Sequence, residues 1–169
     1  LMAVLQSDTP FFDKARACQQ LGEFGDGQAV PALAALLADE HLSAYARSGL
    51  EGIPDPSAAD SLRTAATTLK GNLLAGVVNS LGVLRDAKAV GLLKKLADDP
   101  ASGAAKEALR ALGRIATDEA IEVLRHALAK GLETIRADAA AGCLLAAEKQ
   151  WADGHANIAS ALIAAGHYQ

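Results

Sequence analysis

The sequence predicts an all-α fold of about five stacked helical hairpins, and three observations carry that prediction. Hydrophobic residues make up 51% of the 169 residues but aromatic ones only 4%, so the core must form from closely approaching helices with small side chains between them. Alanine, which supplies much of the apolar content, is the strongest helix former. The third observation is that the chain repeats itself. Asn79-Ser80-Leu81-Gly82-Val83-Leu84 returns as Arg110-Ala111-Leu112-Gly113-Arg114-Ile115, and Ala89-Val90 returns as Ala120-Ile121. Self-similarity at a fixed period of this size marks an array whose units bury their apolar faces against their neighbours.

Two register tracks agree with one another. Leu21, Leu50, Leu81, Leu112 and Cys143 follow at 29, 31, 31 and 31 residues, and Leu33, Leu62, Leu93 and Leu124 at 29, 31 and 31. The expected repeats are 10–40, 42–70, 72–100, 101–130 and 134–166, forming one domain over 10–169. Residues 1–9 are expected as a linker or the end of a preceding element.

Taken in order, Thr9-Pro10 reads as a helix start, with the hydroxyl at the N-cap and proline at the first helical position. The first helix ends near Leu21-Gly22, and Gly25-Asp26-Gly27 turns the chain. A second helix is expected over Gln28–Ala38, with Val30, Leu33, Leu36 and Leu37 on one face. In the second repeat Ala46, Leu50 and Ile53 carry the first helix and Pro54-Asp55-Pro56 forbids its continuation. Ala58, Leu62 and Leu69 carry the next helix, which Gly71-Asn72 is expected to end. An aspartate recurs at the turns (Asp26, Asp55, Asp86, then Thr117-Asp118), placed to cap the second helix by accepting from free backbone N–H groups. In the last repeat Ile135, Ala139 and Cys143 keep the first helix. The connection is expected to lengthen over Glu148–Gly154 before a final helix over Ala156–Ala165. Phe11 and Phe12 are expected to seal the first repeat, Trp151 and Tyr168 to cap the core or offer a docking patch, and Asn79 to satisfy a neighbouring backbone.

The bulk charge narrows the function classes. A formal charge of −4 and pI ≈ 5.5 lack the basic excess by which proteins hold a phosphate backbone, so nucleic acid is not an expected partner. No run reaches the roughly 18 apolar residues of a membrane span. The opening Leu1-Met2-Ala3-Val4-Leu5 has no basic flank and is not read as an intact signal peptide. Several repeats lie between Cys18 and Cys143, so both are expected as separate buried thiols rather than a disulfide.

The Leu-Gly helix ends, the turn aspartate and the following Ala-Val or Ala-Ile with a leucine three residues on resemble HEAT-like repeats of the short bacterial type, also known from phycobilin-lyase relatives. The resemblance covers 10–130 closely and 134–166 loosely. It implies a right-handed α-solenoid, an armadillo-like superhelix whose second helices line a concave side. It also implies a non-catalytic scaffold for a protein partner, in a module or subunit of a larger bacterial assembly, and no cofactor. The compartment stays open between the cytoplasm and, for a module of an exported protein, the periplasm. Such repeats commonly open the first helix with Val-Arg. Ile135-Arg136 fits, Asp13-Lys14 fits in part, and Ser43, Leu74 and Ala105 depart, so no continuous arginine ladder is expected.

The enzymatic branches of that superfamily leave few traces. Di-iron relatives use His-Glu dipeptides, whereas His41, His126, His155 and His167 precede Leu, Ala, Ala and Tyr. There is no nucleophile elbow, P-loop or His-Glu-x-x-His. The alternative reading, an accessory tetrapyrrole lyase, rests on the repeat type. One constellation points to binding: Arg63, Lys94 and Arg125 each follow a second-helix leucine, although the first repeat has Ala34. Thr64, Lys95 and His126 come next, about 100° further round the helix. These six residues are the candidate partner-binding strip on the concave face, suited to an acidic protein segment. Against that stands a solvated face laced by local pairs, since Asp60, Asp98 and Glu122 lie three or four residues from the cations.

Overall fold

A computed structural model describes residues 1–131 and 133–167 of the chain; Tyr168 lies outside the described residues. Among the described residues every regular element is helical and none is a strand, so the fold is all-α and built of repeated helical hairpins. Two compact units divide the chain, Leu1–Ser80 and Leu81–Gln169, with the boundary inside one helix, Gly71–Val83.

The first unit contains α1 (Met2–Leu5), α2 (Phe11–Phe24), α3 (Val30–Ala34), α4 (Ser43–Gly52), α5 (Pro56–Ala66) and most of α6 (Gly71–Val83). Helices α2 and α4 meet backbone to backbone. A Cβ on Gly52 would stand 2.3 Å from the Gly22 carbonyl oxygen, and one on Gly22 3.0 Å from the Gly49 Cα. Glycine after the marker leucine is thus what lets neighbouring first helices touch, with the Cα hydrogens facing carbonyl oxygens. Leu33, Leu50 and Leu62 are fully buried behind that crossing, each contributing about 1.5–3 kcal/mol of hydrophobic stabilisation. Arg47 lies flat on Gly76 and donates from Nη1 to the Gly76 carbonyl (3.2 Å) and to Ser80 Oγ (3.3 Å).

Several local expectations shift here for physical reasons. Pro10, not Thr9, is the N-cap of α2, because the Thr9 hydroxyl is spent on the Val4 carbonyl (3.1 Å). The second helix of the first repeat is not one α-helix over 28–38. A 3-10 turn, Gly27–Ala29, leads into the five-residue α3, and Leu36 and Leu37 close tighter bonds to Leu33 and Ala34. Its apolar face survives, with Val30, Leu33 and Leu37 buried. Helix α5 stops at Ala66, where the Thr67 and Thr68 hydroxyls bond back to the Thr64 and Ala65 carbonyls (2.7 and 3.2 Å). Leu69 therefore lies past the helix, and Gly71 (φ +55°) and Asn72 open α6 instead of ending α5. Phe12 does not seal the first repeat: it is 81% exposed, and Phe11 stands edge-on to Tyr45 with centroids 5.7 Å apart. Helix α1 packs on α2 and α3 with Leu5 buried, occupying the place expected for the phenylalanines.

The second unit holds the end of α6, then α7 (Val90–Asp98), α8 (Ala105–Ile115), α9 (Asp118–Lys130), α10 (Glu133–Ala152) and α11 (Ala156–His167). The glycine crossing recurs: a Cβ on Gly113 would stand 2.3 Å from the Gly142 carbonyl oxygen. Leu81, Leu93, Leu112, Leu124 and Cys143, from both register tracks, are fully buried. The expected long connection over Glu148–Gly154 is instead mostly helix. Glu, Lys and Gln are good helix formers, Lys149 pairs with Asp153 one turn on, and α10 runs to Ala152. The bonds Gly154 N–H to Trp151 (3.0 Å) and His155 N–H to Gln150 (2.8 Å), with Gly154 at φ +85°, then end it in a Schellman motif.

The turn aspartates cap as their position predicts. Asp26, Asp55 and Asp86 accept from the N–H groups of Gln28, Ser57 and Lys88 (2.9, 2.9 and 3.2 Å). At the fourth turn the cap is Thr117, accepting from Ala120 (3.3 Å), while Asp118 sits in the first turn of α9. Cys18 and Cys143 are free, buried thiols.

Candidate functional site

Each candidate residue sits on a second helix because the preceding leucine anchors that helix in the core. In the first unit Asp55 caps α5 and Pro56 presets its first turn. Leu62 then faces inward, and Arg63 and Thr64 emerge beside it. Arg63 is half-buried and ion-pairs with Asp60, while the Thr64 hydroxyl donates to the Asp60 carbonyl (2.9 Å). Thr64 also lines a shallow groove of about 420 Å³ whose walls are Ala34, Leu37 and Ala38 on one side and Ser57, Ser61, Ala65 and Thr68 on the other. Small, mostly uncharged side chains form that surface.

In the second unit Leu93 and Leu124 are buried, and Lys94, Lys95, Arg125 and His126 are exposed beside them. Lys94 and His126 face one groove of about 430 Å³, shared with Asp98, Glu119, Glu122 and Val123. Arg125 reaches Glu122 at 3.5 Å. Among the described residues Lys94 makes no ion pair, although Asp98 lines the same groove. Thus α7 and α9 bring Lys94 and His126 together, with carboxylates outnumbering the cation. Arg63 and Thr64 belong to the other unit. Two of the local pairs suggested by spacing, Asp60–Arg63 and Glu122–Arg125, are formed; exposed pairs of this kind contribute about 0–1 kcal/mol.

Spacing along single helices did not reveal three features. Glu119 enters the groove from the first turn of α9, a placement set by packing against α7. Arg47 bonds across to α6 one turn after Ser43, the position at which an arginine is expected. Gln150 is buried and bridges the Ala116 carbonyl (2.8 Å) and His155 Nδ1 (2.8 Å). The chain signalled that last site only as polar residues at the edge of an apolar helix. Among the described residues no three His, Cys, Asp or Glu side chains stand together as a metal-binding group. Burial pushes the Cys18 thiol up to about 11 and raises that of Cys143, so neither is a poised nucleophile. No helix among the described residues is long and apolar enough to cross a membrane.

Comparison with protein families adds two matches. A profile described as HEAT repeats matches residues 70–144, and one described as PBS lyase HEAT-like repeat matches residues 14–39. A search of curated proteins finds no match.

Proposed function

Because the chain is a HEAT-like repeat protein, we propose that it acts as a non-catalytic scaffold, binding a protein partner through the exposed residues of its second helices. The observation that carries this reading is the groove of the second unit, where α7 contributes Lys94 and Asp98 and α9 contributes Glu119, Glu122, His126 and the apolar Val123. Mixed charge around one apolar side chain suits a polar protein segment, with the charges setting register and on-rate more than affinity. This replaces a purely acidic partner with one carrying both signs. The repeat type fits a module or subunit of a larger bacterial assembly.

The test is partner capture by the wild-type chain and by a Lys94→Glu, His126→Ala variant, with helicity and melting followed in parallel. Capture that falls at least about tenfold, the loss of about 1.4 kcal/mol, with an unchanged melt supports the reading. Undiminished capture refutes this groove as the site.

One observation favours a second reading. The PBS lyase HEAT-like repeat over residues 14–39 fits an accessory role in handling a tetrapyrrole. Incubation with an open-chain tetrapyrrole and the captured partner separates the two: a coloured covalent adduct on the partner supports the lyase, and a colourless complex supports the scaffold.

A further inference from the structure

In the second unit a single side chain ties together the ends of three helices. Helix α8 ends at Ala116, which is left-handed (φ +51°) and donates its N–H to the Leu112 carbonyl (2.9 Å). The Ala116 carbonyl oxygen faces Nε2 of Gln150, and the Gln150 amide oxygen faces Nδ1 of His155, both at 2.8 Å. A carbonyl only accepts, so the Gln150 NH₂ must be the group facing Ala116. The amide oxygen then faces His155 and also only accepts, so Nδ1 must carry a hydrogen. The carbonyl of Ala116 therefore sets both the amide orientation and the imidazole tautomer. Gln150 holds His155 a second time through its backbone carbonyl, which accepts the His155 N–H (2.8 Å). The His155 carbonyl in turn accepts from Ala159 in the first turn of α11.

We infer that Gln150 is a latch that docks α11. The relay runs from Ala116 through Gln150 to His155 with one fixed polarity, and it anchors the start of α11 to the end of α8. Helix α11 packs on α10 and α9 and contributes Ala159 and Leu162, both fully buried. Opening the latch frees the start of that helix and exposes Ala159 and Leu162. Protonation of the ring does not open it, because the imidazolium keeps its Nδ1–H. The charged group that interacts with the ring is Asp153, which is ion-paired with Lys149. What opens the latch is loss of the amide or of the Nδ1 donor.

Two measurements test this independently. Long-range ¹H–¹⁵N spectra of the wild-type imidazoles should show His155 as the Nδ1–H form when neutral; a neutral Nε2–H form overturns the relay. Hydrogen exchange should show the amides of α11 opening at least about tenfold faster in Gln150→Leu, as loss of a buried amide's bonds implies. Those of α8 and α9 should stay within about twofold, about 0.4 kcal/mol. His155→Asn, which keeps a donor and an N-cap side chain, should retain slow exchange, whereas His155→Ala should not. Unchanged α11 exchange in Gln150→Leu, or equal acceleration of every helix, refutes the latch.

Discussion

Gly25 and Pro54 in the first unit occupy the same register position as Arg85 and Ala116 in the second, four residues after Leu21, Leu50, Leu81 and Leu112. The two units leave the first helix in different ways. In the first unit the exit is extended, with Gly25 at φ −82°, ψ 167° and Ile53 at φ −81°, ψ 117° ahead of Pro54. In the second it is left-handed, at φ +50° for Arg85 and +51° for Ala116, with no glycine at either place. A left-handed non-glycine residue costs about 1–2 kcal/mol. The Arg85 and Asp86 N–H groups offset it by closing on the Gly82 and Leu81 carbonyls (both 3.1 Å), and Gln150 holds Ala116. Burial of the marker leucine fixes the repeat spacing, whereas the path of the turn is free as long as the next helix starts capped. A cap follows all four turns.

Both units also carry one natural reporter, since Cys18 and Cys143 are the only cysteines and both are fully buried. Thiol labelling therefore reads the opening of each unit separately. The largest effect is expected from removing the shared element. Leu50→Ala and Leu112→Ala should each lower stability in urea by about 3 kcal/mol, accelerating the labelling of Cys18 and Cys143 respectively. A large loss at one and tolerance at the other would break the equivalence.

The turns should answer with opposite signs. A Cβ on Gly25 would fall 2.3 Å from the Leu21 carbonyl oxygen, so Gly25→Ala should destabilise by about 1–3 kcal/mol. Ala116→Gly should gain up to about 1 kcal/mol, because relief of the left-handed strain exceeds the added chain entropy. Equal signs in thermal melts would show that the turns are not the point of difference. Removing the fourth cap, Thr117→Ala, should cost about 1 kcal/mol, visible as faster labelling of Cys143 with Cys18 unchanged; equal acceleration of both would show that the cap does not act locally.

The smallest effect is the acid response. Asp39 is held below its ordinary range by the N–H groups of Leu42 and His41, Asp55 by the Ser57 hydroxyl and N–H, and Asp153 by Lys149. A carboxyl with a lowered folded value adds stability that is present above its unfolded value, about 3.9, and is lost as pH falls through the folded one. Two of the three lie in the first unit, so Cys18 should become labelled at a milder acidity than Cys143. Asp55→Asn, which still caps, should remove part of that dependence; an unchanged acid profile would take Asp55 out of the account.

Most of the fold was legible because burial repeats at a readable interval. The leucine tracks, the Leu-Gly crossings and the turn aspartates are all local consequences of helices that need an apolar stripe, a close approach and a cap. Boundaries were less legible. Thr9 is diverted to Val4, Thr67 and Thr68 bond back onto α5, and α10 runs on through Glu148–Gln150, where Lys149 pairs with Asp153 and Gln150 with Ala116. Each depends on a contact whose other half is a separate choice of the chain. The candidate strip was legible as exposed residues next to buried leucines. Its electrostatic character was not, because the acidic wall at Asp98, Glu119 and Glu122 forms only once α7 and α9 lie side by side.

By itself the sequence determined the helical class, the repeat length, the two buried leucine tracks and the capped turns, since each follows from periodicity and from groups a few residues apart. Only the tertiary structure decided that Gly22 and Gly113 face another helix's backbone, that the Lys94–His126 groove carries more acid than base, and that Gln150 spans Ala116 and His155. Those outcomes rest on contacts between residues far apart in the chain, and no local pattern specifies which distant atom a side chain will meet.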